Sequence, residues 1–136
     1  MQNTPNTDYA ALLLRLASGV AFLAHAGLKV FAFGFEGTVG YFQSLGLPGP
    51  FAYVIILLEV VGATALILGV QTRIVAAVLG LELLGVAWVG HGANGWMFAN
   101  EGGGWEYPVY WAVSMFALAL LGGGAFALGQ RRSVVV

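Results

Sequence analysis

Four long apolar runs dominate the chain, at 9–33, 51–70, 73–90 and 107–128, and polar or Gly/Pro-rich segments separate them. Each is close to the roughly 20 residues a helix needs to cross a hydrocarbon core of about 30 Å. Pro48 and Pro50 precede the second run, and Pro108 falls in the first turn of the fourth, where a missing N–H costs nothing. Gln71 and Thr72 leave only a tight turn between the second and third runs, so those helices are antiparallel neighbours. The pattern predicts an all-α fold, an integral membrane four-helix bundle, with residues 1–136 as one domain.

Composition points the same way. Of 136 residues, 60% are hydrophobic and 8% charged, against roughly a quarter charged in a soluble domain. Mean hydropathy is +0.88. A net charge of −1 gives no reason to expect nucleic acid as a partner. Cysteine is absent, which excludes disulfides, thiolate metal sites and thiol exchange by this chain itself. The sequence AHA at 24–26 has the form of a signal-peptide cleavage site. However, residues 1–8 carry no Lys or Arg and Arg15 interrupts the apolar core, so the first run reads as a span. Arg73, Arg131 and Arg132 fall in the connections on one side, and Glu36, Glu101 and Glu106 on the other. The positive-inside bias then predicts both termini in the cytoplasm of a multi-pass cell-membrane protein.

Ionisable groups at bilayer depth cost a few kcal/mol each and normally find partners inside the bundle. Arg15, His25 and Lys29 share one face of the first helix with Ser18 and Phe22. Glu59 and Glu82 fall near the midplane, Arg15 about 8 Å to the cytoplasmic side and His25 about 6 Å to the outer side. These carboxylates are the expected counter-charges of the basic stripe, with Glu82 facing Arg15. Gly62 and Ala63 beside Glu59, and Gly85 beside Glu82, would let backbones approach. Two readings stay open: an ion-pair network that fixes helix register, or a carboxylate, Glu59 foremost, that handles protons or orients a ligand. Snorkelling would also explain Lys29. The motif LEVVG at 58–62 echoes LELLG at 81–85, as an inverted-repeat relic or as one packing solution used twice.

The connection at 92–106, GANGWMFANEGGGWE, is long for a compact bundle. Its Trp96, Phe98 and Trp105 suit either an interfacial aromatic belt or a lid folded over the bundle mouth with Asn94, Asn100 and Glu101 aimed inwards. Glycines 102–104 supply the freedom such a path needs. His25 and His91 lie at similar outer depth and could together ligate a haem or metal, but two histidines without a supporting cluster are a thin ligand set. His91 also lies about 180° round a regular helix from Glu82.

Taken together, Arg15, HAGLK at 25–29, YFQSLGLP at 41–48, EVVG at 59–62, GVQTR at 69–73, HGANGW at 91–96 and EYP at 106–108 resemble the DoxX family of four-helix membrane proteins over 12–129. That resemblance implies an association with membrane redox systems, including subunits of quinol oxidases and thiosulfate–quinone oxidoreductases. The expected function is a redox accessory subunit, catalytic or not, whose outer half binds a quinone headgroup through His25, Glu59, His91, Asn94, Trp96 and Trp105. Haem and metal are not expected. The expected partners are the bilayer and other membrane or redox subunits, with a homo-oligomer as a further option. The competing readings are a proton or small-solute carrier using Arg15, Lys29, Glu59 and Glu82, and a purely structural subunit. Cysteines introduced at Gly103 and Ser133 are expected to label from opposite sides of the membrane; labelling of both from one side would overturn the four-span topology.

Overall fold

The computed structural model describes residues 5–129. Among them there is no strand. A backbone removed from water must satisfy its N–H and C=O groups internally, and a helix does so at every turn. Helix α1 (Pro5–Gly27) runs without a break into a wide π-turn, Leu28–Ala32, giving a 28-residue rod about 42 Å long. Gly34, at φ +72°, turns the chain into α2 (Gly34–Ser44). Helix α3 (Phe51–Leu68) and helix α4 (Thr72–Gly85) come next, and α4 continues through a second π-turn, Val86–Gly90. A short 3-10 turn (Gly92–Asn94) opens the long loop that leads to α5 (Glu106–Leu121).

Helices α1, α3, α4 and α5 close into a ring in which α1 packs on α3, α3 on α4, α4 on α5 and α5 on α1. The core between them is built from Phe22, Leu66, Leu79, Trp111, Met115 and Leu118, with alanines filling the gaps. Three of the helical segments, Pro5–Ala32, Phe51–Leu68 and Thr72–Gly90, are long and apolar enough to cross a membrane. Helix α5 is apolar but has 16 residues, about 24 Å of rise.

Two features depart from the four-run pattern. The segment 34–44, part of the connection between the first and second spans, is helical. Its three glycines lower its propensity, but tertiary contacts decide: Phe42 is buried, and Phe35 stacks on Tyr53 at 5.6 Å. The Thr38 hydroxyl lies 2.8 Å from the Lys29 carbonyl and 2.9 Å from that of Gly34, so α2 supplies a donor where the π-turn loosens the ladder. Second, the fourth helix stops at Leu121 and not at 128. Glycines 122–124 break it, with Gly122 at φ +91° and Gly124 at +68°, a common helix ending. The chain then turns back along the bundle end. Ala125 N–H donates to the Asp8 carbonyl, Leu128 N–H to Leu68 and Gly129 N–H to Gly69. The start of α1, the α3–α4 turn and the end of α5 therefore share one end of the bundle, and the 91–105 loop occupies the other.

Close helix approach falls partly where expected. A methyl group at Gly62 would sit 3.1 Å from the Leu79 side chain, so α3 and α4 meet there, whereas Gly85 faces open space. Gly19 marks the α1–α3 contact, with the Ala63 carbonyl 3.1 Å from where a Cβ would stand, and Gly80 is capped by the Phe116 ring.

Arg15 ties the closed end together, and not to Glu82 as the sequence suggested. Its guanidinium donates to the carbonyls of Gly123 (2.8 Å), Leu66 (3.1 Å), Ile67 (2.7 Å) and Ala125 (2.6 Å). The last-turn carbonyls of a helix lack partners and carry its negative dipole end. A planar cation with five donors fits them better than it would fit a single carboxylate a few turns away. Glu59, which neighbours Glu82, lies seven residues from Leu66 on α3, about 10 Å of rise. Hydrogen bonds to charged groups contribute about 1.5–3 kcal/mol each, so Arg15→Met is expected to lower stability by at least about 3 kcal/mol. Combined with Glu82→Leu, its effect should add within about 0.5 kcal/mol; denaturant titration in mild detergent measures both, and strong coupling would restore the Arg15–Glu82 pair.

Candidate functional site

The buried charge of the loop half centres on Lys29, Glu59 and Glu82, one from each of three helical segments. Lys29 sits in the π-turn of the first rod, and Nζ donates to both carboxylate oxygens of Glu59 at 2.9 Å. The Glu59 side chain is 5% exposed and that of Lys29 19%. An ammonium this enclosed is held by its counter-ion and not by snorkelling alone. Glu82, on α4, lies against Glu59 and within the field of Lys29. Both of its oxygens are buried, and neither has a hydrogen-bond donor among the described residues.

His25 stands one turn before Lys29. Its Nδ1 is 2.8 Å from the Ala21 carbonyl; a carbonyl only accepts, so Nδ1 carries the proton and a neutral ring keeps Nε2 as an acceptor. Its ring packs on Trp111 at 5.3 Å, and the Trp111 indole N–H donates to Ser18 at 3.3 Å. From Trp111 a series of ring contacts leads outwards through Tyr107 (5.7 Å) and Phe98 (5.2 Å) to His91 (6.4 Å).

The loop does not aim Asn94, Asn100 and Glu101 into the bundle mouth. It closes on itself. His91 Nδ1 is 2.8 Å from the Gly103 carbonyl, Asn94 donates its amide to Gly102 and Gly103, and Asn100 donates to Asn94. Trp105 and Glu106 N–H groups return to the carbonyls of Gly95 and Trp96 at 3.0 Å. Gly104 is buried where a Cβ would collide with the carbonyls of Gly95, Trp96 and Met97. The polar side chains expected to reach a ligand are thus committed to the loop, and Glu101 is exposed. His91 does not take the direction that a regular helix would give it relative to Glu82. The π-turn at Val86–Gly90 rotates the residues beyond it by up to about one residue step, 100°.

The six expected ligand residues therefore divide. His25 and Glu59 lie inside the ring, His91 and Asn94 brace the loop, and Trp96 and Trp105 line a groove of about 610 Å³ outside it. Phe98, Glu106, Tyr107 and Tyr110 complete its polar and aromatic lining. Tyr107, Tyr110 and Trp111 were not singled out from the sequence. Their signal was the i, i+3, i+4 spacing on one apolar helix, easily taken for belt residues. Among the described residues no three His, Asp or Glu side chains converge as a metal-ligand set.

An all-helical bundle with several membrane-capable helices and buried, paired charges defines a multi-pass membrane protein. The sequence profile of the DoxX family matches residues 10–92, and the chain belongs to that family. Inner membrane protein YphA of Escherichia coli (strain K12) is 32% identical over 127 residues, 88% of each chain. A protein of Bacillus subtilis (strain 168) named "Putative oxidoreductase CatD" is 42% identical over 78 residues, and the match spans 57% of each chain. No solved structure matches the chain.

Removing one partner of a buried ion pair costs about 3–5 kcal/mol, because the other charge is stranded. Lys29→Met is expected to destabilise by that amount, and Lys29→Met with Glu59→Gln to recover most of it, read by thermal unfolding in detergent. Additive losses in the double variant would show that the pair contributes nothing.

Proposed function

We propose that this protein is an accessory subunit of a quinone-linked oxidoreductase, and that the groove over α5 receives the quinone headgroup. The groove itself carries this reading: aromatic walls from Trp96, Trp105 and Tyr107, hydroxyls on Tyr107 and Tyr110, and the Glu106 carboxylate at one edge. A quinone needs apolar walls and a few placed polar groups at its carbonyls, and a groove on the outer surface of α5 is open to a ligand arriving through lipid. The oxidoreductase name of the Bacillus relative supports a redox setting. In this reading α5 is a fourth crossing, since it starts at the loop and finishes beside the α3–α4 turn. The Arg73 end then faces the cytoplasm.

This site differs from the one the sequence suggested. His25 and His91 each commit Nδ1–H to a backbone carbonyl, so that donor is not available to a quinone oxygen. A carrier of protons or solutes through the ring is disfavoured by the packing between Glu82 and Arg15, where Ala63, Leu66, Leu79, Met115 and Leu118 are all 0% exposed.

A quinone analogue at about a hundred times its Kd stabilises the folded state by about 2.7 kcal/mol, and a clear rise in thermal midpoint is expected. Trp96→Ala or Tyr107→Phe should reduce that shift, while His25→Ala should leave it in place. Loss on His25→Ala alone would return the ligand to the interior of the ring, and no response to any quinone would favour a purely structural subunit.

A further inference from the structure

Two carboxyl groups, Glu59 and Glu82, meet inside the ring with one ammonium between them and the loop end. We infer that this pair binds one exchangeable proton, shared between the two side chains and reached from the loop end only. The shared proton is independent of the ligand in the groove.

The charge balance is simple. Lys29 carries +1 and two ionised carboxylates −2, leaving an uncompensated negative charge in the membrane interior, where an unpaired ion costs several kcal/mol. One proton brings the cluster to neutrality. The hydrogen bonds give the same count. Lys29 directs two of its three N–H donors to the oxygens of Glu59, and Glu82 has two buried oxygens with no donor among the described residues. A carboxylate only accepts, whereas a carboxylic acid donates. A proton on either group turns the Glu59–Glu82 contact into a hydrogen bond, so one proton neutralises the cluster and pairs one of the two Glu82 oxygens.

No other element supplies the missing donor. On the first rod the His25 N–H is committed to Ala21, and on α2 the Thr38 hydroxyl is committed to carbonyls while Glu36 is exposed. On α3 the Thr64 hydroxyl donates to Val60 and Tyr53 is exposed beside Phe35; on α4 Thr72 and Arg73 stand at the far end, Arg73 binding the carbonyls of Ala119, Leu120 and Leu121. On α5 the Trp111 N–H goes to Ser18, and Glu106, Tyr107 and Tyr110 face the groove. Access is one-sided because the Lys29 side chain, 19% exposed, is the cluster's contact with the loop end, while the fully buried core and the Arg15 clip close the other.

Infrared difference spectroscopy of the purified full chain in detergent tests the proton directly. At neutral pH a carboxylic-acid C=O band is expected that shifts in D₂O and disappears in Glu82→Gln, an uncharged isostere that keeps the fold. Glu59→Gln should remove the same band; if that variant fails to fold because Lys29 is stranded, Glu82→Gln carries the assignment alone. Absence of any acid band sensitive to Glu82→Gln would overturn the shared proton. So would a thermal midpoint that rises with sodium or potassium only when Glu82 is present, which would make the pair a metal-cation site. In phosphatidylcholine–phosphatidylglycerol vesicles the wild-type chain should conduct protons no faster than empty vesicles; a conductance abolished by Glu82→Gln would overturn one-sided access.

Discussion

Lipid offers no hydrogen bonds, and the bundle is organised around satisfying carbonyl groups that helix ends leave bare. At the closed end Arg15 and Arg73 do this work as a pair. Arg15, from α1, reaches the last turn of α3 and the returning chain, and Arg73, from the start of α4, reaches the last three carbonyls of α5. Each cation sits at the negative end of a neighbouring helix dipole. The ring of four helices is thereby tied at one end by cations bound to backbone carbonyls. The two buried glutamates are left for the opposite half.

That division separates stability from chemistry. The closed end is dense, with glycines such as Gly19 permitting helices to touch and cations holding the turns. The loop end has the looser geometry: two π-turns, one on each side of the ring, at Leu28–Ala32 and Val86–Gly90. Such turns often occur at functional positions. One carries Lys29 and the other leads into His91. The loop above them is a self-braced cap that places aromatic side chains over α5, next to the start of the ring contacts that lead to His25.

The helices and their order were legible in the sequence because apolar runs of this length have few alternatives, and the GVQTR turn left no room for anything but antiparallel packing. That Glu59 would answer a cation of the first helix followed from opposite charges inside the bilayer, but Lys29 as that cation did not, because snorkelling explained the lysine as well. The Arg15 partners were hidden for a definite reason. Sequence shows side-chain charges, but the acceptors were main-chain carbonyls at 66, 67, 123 and 125, exposed by where two helices stop. The end of α5 was misplaced because the glycines at 122–124 sit inside an otherwise apolar run. Helix α2 was missed because its packing on α3, and not its own propensity, stabilises it. The inward-facing loop failed as a reading because Asn94 and His91 found acceptors at Gly102 and Gly103, within the same loop.

The Arg15 clip has a consequence for biosynthesis. Two of its acceptors lie 51 and 52 residues downstream and the others 108 and 110. At a synthesis rate of about 5–20 residues per second, α1 leaves the ribosome some 5–20 seconds before Gly123 and Ala125 exist. For about the first half of that interval the cation has none of its four acceptors and for the second half only two of them, in an environment that penalises it. The early chain must therefore be sheltered, by the insertion machinery or by water drawn in around the guanidinium, until the last helix arrives and closes the ring.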